Sequence, residues 1–194
     1  SLKRIVMSDN IFFNISDLKK CGKNVIIGKA VRIRHPELVE IGDNVIIDDF
    51  TFISGRVIIG EYVHIASSCT LQAGSSKISI GSFSGLASGV RVLSTSSDFI
   101  KCSFDSACIP RDLIYGAIEK EVKLGECVQI GTNSVILPGV VLPTGFACAA
   151  MVKLEGNYNY KPWMLFSQNP FFECKRIFKD KLLNNIENLK KTHE

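Results

Sequence analysis

A period of six runs through this chain and leaves few folds open to it. From Cys21 the residues group as CGKNVI, IGKAVR, IRHPEL, IGDNVI, IDDFTF, ISGRVI, IGEYVH, IASSCT, LQAGSS, IGSFSG, LASGVR and VLSTSS. After a gap the pattern resumes at Leu124 as LGECVQ, IGTNSV, ILPGVV, LPTGFA and CAAMVK. All 17 hexads open on an apolar residue, 15 of them Leu, Ile or Val, and position five is Val, Thr, Ser or Cys in 15 of the 17. Neither an amphipathic helix nor an ordinary strand carries this period. One large aliphatic and one small or β-branched residue per six suit a narrow tube walled by short strands. Three hexads close one coil, and coils stack about 4.8 Å apart through strand hydrogen bonds. Glycine at position two, as in Gly22, Gly42 and Gly60, is expected to give the corners unusual backbone angles.

The insertions fit the same scheme. Coils start at positions 21, 41, 59, 80, 124 and 142, so each interval is 18 residues plus 2, 0, 3, 26 and 0. Every extra residue falls after the third hexad of its coil, so all insertions are expected to leave the prism at one corner. A β-sandwich with glycine-rich turns does not account for this phasing. The expected organisation is a cap over residues 1–20, a β-solenoid over 21–153 with a loop insertion at 98–123, and a connector with a C-terminal helix over 154–194. Within the cap, residues 11–20 read as a short helix starting near Asn14 or Ser16. Beyond Lys153 the hexads stop. Apolar residues from about Phe171 to Lys191 then recur at helical spacing, with Asn169-Pro170 as the helix entry.

Composition narrows the function. A net charge of +4 is too small and too scattered for nucleic-acid binding, and no apolar run reaches the ~18–20 residues that cross a bilayer. The first seven residues lack a signal peptide's apolar stretch. Seven cysteines without a CxxC pair fit neither a disulfide scaffold nor a structural zinc site. The expectation is a reduced, cytoplasmic protein without a metal.

The segments EIGDNVIIDDFTFISG (40–55), VIIGEYVHIASSCTLQAG (57–74), IGSFSGLASGVRVLSTSSDF (80–99) and IGTNSVILPGVVLPTG (130–145) resemble the hexapeptide-repeat acyltransferases. Within them, the likeness is to the nucleotide-sugar acetyltransferases of surface-polysaccharide biosynthesis. The resemblance implies an all-β solenoid, a left-handed parallel β-helix of about six coils with a long loop and a C-terminal α-helix. It also implies a homotrimer with sites between subunits and acetyl-CoA, or another short acyl-CoA, as co-substrate. Pantetheine would run along the last coils, against the region of Gly131, Ala149 and Ala150. Lys153, Lys175 and Arg176 are candidate contacts to CoA phosphates, or plain surface charges, and Trp163 is a candidate to stack on adenine.

Many members of that superfamily place a basic histidine in the long loop, and this loop has none. The three histidines are His35, His64 and His193. A sugar hydroxyl needs activation, whereas a sugar amine, with a pKa of about 8 like an α-amino group, is substantially neutral at working pH. Losing the histidine therefore favours an N-acyltransferase for a nucleotide-linked amino sugar. A sugar O-acetyltransferase of the same fold and a non-catalytic trimeric scaffold are the alternatives. Asp98, the first loop residue, is the candidate to hold the amine or take its proton, or else it caps a turn. Glu119 and Glu121 compete for a place in the same groove. His64 either enters the groove of an adjacent subunit or hydrogen-bonds across the interface. Ser84 and Arg91 are candidate substrate contacts, although at position five Ser84 also suits the tube interior.

Overall fold

The structure, a computed structural model, describes residues 10–98, 100, 108–114 and 116–193. Residues 1–9 of the expected cap, and Phe99, Phe104, Asp105 and Tyr115 of the loop, lie outside the described residues.

The hexads form the rungs of a parallel β-helix with three walls. One wall stacks Ile46 on His64, then Gly85, Gln129, Ala147 and Leu165, all in parallel register. A second stacks Arg32, Phe52, Thr70, Arg91, Val135 and Lys153. The third runs from Cys21 through Ile41, Ile59, Ile80 and Leu124 to Leu142. The leading residue of every hexad is buried except Cys21, which is half-buried at the open first coil. Hydroxyls at position five staple successive coils. Ser134 Oγ donates to the Ala149 carbonyl at 3.1 Å and accepts the Val152 N–H at 3.1 Å.

The position-two glycines serve a purpose other than the expected one. Left-handed backbone falls instead at position four, as at Asn24, Asn44, Tyr62, Phe83, Cys127 and Trp163. Position two is where coils approach most closely. A Cβ on Gly81 would lie 2.5 Å from the Gly125 carbonyl carbon, so any side chain there would part the stack.

The insertions do leave at one corner, but they enter the third hexad rather than follow it. Glu37 and Ser75 are exposed, and the tube position they would occupy is filled by Val39, Ile78 and Val122, each two residues before a coil start. The register Val39↔Val57↔Ile78↔Val122 makes this column continuous.

The solenoid also runs one turn further than the aliphatic pattern shows, to about seven turns. Eighteen residues after Leu142 and Cys148 come Tyr160 and Phe166, both buried, and Leu165–Phe166 pairs with Ala147–Cys148 in the same parallel register. Tyr160 donates its phenol to the Glu155 carbonyl at 3.1 Å and accepts the Glu155 N–H at 2.8 Å; burial pushes its pKa up to about 12. Phe146, Tyr160 and Phe166 form an aromatic cluster at this end, with ring centroids 5.2 to 6.3 Å apart.

Two terminal expectations change. At the N-terminus a single 3₁₀ turn, Ile15–Asp17, replaces the short helix, with the Asp17 carboxylate accepting the Asn14 N–H at 2.9 Å; buried Phe13 and Leu18 pack onto the core from this segment. At the C-terminus Phe171–Lys175 is a strand, antiparallel to Met164–Gln168 across a cis Asn169-Pro170 bond. The helix begins only at Lys179 and runs to His193. It lies along the Asn24–Trp163 corner, with Lys179 Nζ 5.2 Å from the Trp163 ring and Lys190 Nζ 5.4 Å from the Phe83 ring. Eleven helical residues span about 16 Å, close to the three coil spacings, about 14 Å, between those two rings.

The burial pattern gives a direct check. Cys69 and Cys148 point into the tube, and burial pushes the Cys69 thiol up to about 11 and Cys148 upward as well. Cys108 and Cys174 are exposed. A thiol reagent at pH 8 is expected to modify Cys108 and Cys174 in the folded protein, and Cys69 and Cys148 only after denaturation. Peptide-level mass spectrometry reads this out, and rapid labelling of Cys69 in the native protein would contradict the tube assignment.

Candidate active site

The long insertion is tied at its root. Thr95–Ser96 pairs antiparallel with Ile118–Glu119, closing a two-stranded ribbon on the insertion corner, and Lys120 N–H donates to the Ser94 carbonyl at 3.0 Å. Asp98 follows this ribbon directly. It is half-buried, and its Oδ1 accepts the Ile100 N–H at 3.1 Å. A carboxylate so placed is held at the base of the loop.

The two competing glutamates face the same corner, where a cavity of about 600 Å³ is lined by Lys19, Arg56, Lys77 and Glu121 among others. Glu119 accepts hydrogen bonds from the backbone N–H and the hydroxyl of Ser75. Glu121 pairs with Lys77 at 2.9 Å. Both acids thus anchor the returning strand of the loop.

His64 stands on the first wall, half-exposed, with Nε2 2.9 Å from Asp48 Oδ2 of the preceding coil. Ser84 is buried; its Oγ donates to the Gly125 carbonyl at 3.2 Å and accepts the Val128 N–H at 3.1 Å, so the tube takes both of its hydrogen bonds. Arg91 projects from the second wall, exposed, with Nη1 donating to the Gly89 carbonyl at 3.1 Å.

The residues assigned to the acyl carrier fall in two places. Gly131, Ala149 and Ala150 stack at the corner between the first and second walls. A Cβ on Gly131 would meet the Ala149 carbonyl carbon at 2.4 Å, so coil stacking alone requires that glycine. Lys153, on the second wall, pairs with Glu155 at 2.7 Å, and its backbone is clamped by the Gln168 amide, which donates to one group and accepts from the other at 2.7 Å. Trp163 lies at the opposite corner, its ring over Gly145, with Arg176 Cζ at 5.9 Å and Lys179 Nζ at 5.2 Å. Arg176 also donates to the carbonyls of Cys127 and Gly145 at 2.9 and 2.8 Å, which fastens the terminal hairpin to the corner. Lys175 is exposed on the outer hairpin strand, paired with Met164. Among the described residues no cluster of three or more His, Cys, Asp or Glu has metal-site geometry, and no helix is long and apolar enough to cross a membrane.

Residues 39–73 match the bacterial transferase hexapeptide (six repeats) model. Over 147 residues the chain is 30% identical to a dTDP-4-amino-4,6-dideoxy-D-glucose acyltransferase of Escherichia coli, covering 74% of this chain and 75% of that protein. The chain belongs to the hexapeptide-repeat acyltransferases. This acyltransferase superposes on AntD, an N-acyltransferase from Bacillus cereus solved with dTDP and 3-hydroxybutyryl-CoA, with a TM-score of 0.83 and 30% identity over 95% of this chain and 100% of that one. The solenoid is thus a left-handed parallel β-helix of the kind these enzymes share. AntD has also been solved with an aspartate replaced by asparagine, and with a serine ten positions earlier replaced by alanine. A maltose O-acetyltransferase from Clostridium difficile, at 16% identity and a TM-score of 0.52 over 84% of this chain and 72% of that one, shares the fold.

Proposed function

We propose that this acyltransferase moves an acyl group from coenzyme A to the amine of a dTDP-4-amino-4,6-dideoxy sugar. The full-length likeness to AntD, which binds dTDP and an acyl-CoA, carries the reading. The acyl group in this reading is acetyl or a slightly longer chain, and the product feeds surface-glycan assembly in the cytoplasm.

Asp98 and Ser88 are the reacting-site pair in this reading. They stand ten residues apart, the spacing of the aspartate and serine replaced in AntD. Ser88 is an exposed corner residue with its Oγ 3.4 Å from Ser67 Oγ. The hexad pattern passes it over, because small polar residues are ordinary at corners. The amine attacks the thioester carbonyl as the neutral base. Asp98 accepts a hydrogen bond from the amine, which orients its lone pair, and takes the proton that nitrogen sheds as the C–N bond forms. The C–S bond breaks, the leaving thiolate takes that proton from Asp98 to depart as the coenzyme A thiol, and a Ser88 hydroxyl donates to the developing oxyanion. Assembly as a homotrimer would add a second wall to the groove, and the first wall, with Ile46 and Gly85 flanking His64, is the flat surface proposed to meet a sister copy.

Thiol release from acetyl-CoA tests the reading. Turnover is expected with dTDP-4-amino-4,6-dideoxyglucose and none with the matching 4-hydroxy sugar. Equal turnover of the hydroxyl sugar would favour O-acetylation, and no turnover with either would favour the scaffold.

A further inference from the structure

The three-residue insertion of the third coil has no task in the coil itself. The coil before it turns the same corner in 18 residues without one. Where the strand Phe52–Ile59 pairs with Thr70–Ile80, the register steps from Ser54↔Gln72 to Arg56↔Lys77. A step of two residues on one strand thus faces a step of five on the other, and the surplus projects from the corner. Gly74 makes the turn with a φ of +58°, and Ser75 beyond it is exposed. The tube gains nothing from this excursion, since Ile78 fills the interior column as Val57 does one coil earlier.

What the excursion touches is the ribbon at the root of the long loop. The outgoing strand sits on Gly74, where a Cβ would lie 2.8 Å from Thr95 Cβ, so only glycine leaves room for it. Just before that contact, Ser94 Oγ donates to the Ala73 carbonyl at 2.7 Å and Ser94 N–H to the Gln72 carbonyl at 3.0 Å. The next residues hold the returning strand: Glu119 accepts both donors of Ser75, and Glu121 pairs with Lys77 at 2.9 Å. Thr95 and Glu119 are register partners, so these contacts clamp both sides of one rung. Asp98 stands three residues beyond Thr95, about 10 Å along an extended chain.

We propose that residues 74–77 are a latch that sets where Asp98 stands, with Ser75 and Lys77 as positioning residues for the acyl transfer. The inference rests on the reading of Asp98 as the base. A loop of 26 residues fixed only at its two ends keeps considerable freedom, and ties near the root remove it close to the carboxylate. Placement matters there, because a shift of about 1 Å can cost about 10²-fold in rate. The two ties differ in strength. The Lys77 and Glu121 side chains are 34% and 48% exposed, and an ion pair in such a setting contributes little. Ser75 brings a hydroxyl and a backbone N–H to one carboxylate, and hydrogen bonds to a charged group are the stronger kind. Ser75 therefore carries the larger share.

The test measures kcat for transfer to the nucleotide amino sugar in Ser75→Ala, Ser75→Thr and Lys77→Met, each alone and combined with Asp98→Asn. Ser75→Ala is expected to lower kcat about 10- to 100-fold with KM for acyl-CoA within about twofold, and Lys77→Met to lower it less. Ser75→Thr keeps the hydroxyl and is expected to hold kcat within about twofold of native. In the Asp98→Asn background, Ser75→Ala is expected to cost no more than about twofold further, since the latch acts through that carboxylate. Native kcat in Ser75→Ala, no rescue by threonine, or losses that simply multiply would overturn the inference and leave Asp98 as the base. Full activity of Asp98→Asn alone, or no turnover by the native protein, would remove the reading beneath it and the latch as a positioning device with it.

Discussion

Replacing Asp98 by asparagine is expected to lower kcat by about 10²- to 10⁴-fold, the range a positioned general base contributes, while KM for acyl-CoA stays within about twofold. The substitution is informative because of the local geometry. Asp98 Oδ1 accepts the Ile100 N–H at 3.1 Å, and an asparagine carbonyl can accept the same bond, so the base of the loop keeps its shape while its proton acceptor is lost. Single-turnover kinetics with the thioester in excess read the chemical step alone. Ser88→Ala is expected to fall short of the upper end of this loss, because removing one oxyanion donor costs about 10²- to 10³-fold. A fully active Asp98→Asn variant would mean that the amine sheds its proton to solvent and that Asp98 is a turn residue.

The second large effect is structural. Phe146 fills the tube under Tyr160 and Phe166, at 1% exposure, where every earlier coil carries a smaller residue. Phe146→Ala is expected to cost about 3–5 kcal/mol, since the aromatic end cannot collapse into the space left behind. In a solenoid each turn contacts only its neighbours, so the loss should be local. Hydrogen exchange is expected to lose protection over residues 142–168 while the strands at Ile46–Ile47 and His64–Ile65 keep theirs. Uniform loss across the chain would show instead that the coils melt as one unit.

Much of the architecture is written in the chain because tube, wall and corner each demand a residue type. Aliphatic leads mark the walls from Cys21 to Cys148, and the coil starts locate the insertion corner. The seventh turn is harder to see because Tyr160 and Phe166 replace aliphatic leads, although their spacing of eighteen from Leu142 and Cys148 is intact. Phe171, Phe172 and Cys174 satisfy strand and helix spacing equally, and only pairing with Met164–Gln168 decides for the strand. Asp98, the proposed base, draws attention by its place at the start of the loop. The anchoring of Glu119 by Ser75 and of Glu121 by Lys77 joins residues 44 apart, and nothing local to either segment announces it. Ser88 looks like any corner serine.

The central claim is that a sugar amine meets the thioester beside the carboxylate at the root of the loop. A crystal structure with coenzyme A and dTDP-4-amino-4,6-dideoxyglucose bound tests it most directly. The account predicts the C4 amine nitrogen at hydrogen-bond distance, about 2.6–3.2 Å, from an Asp98 oxygen, with the thiol close by. An amine seated elsewhere, with Asp98 turned to bulk solvent, would contradict it.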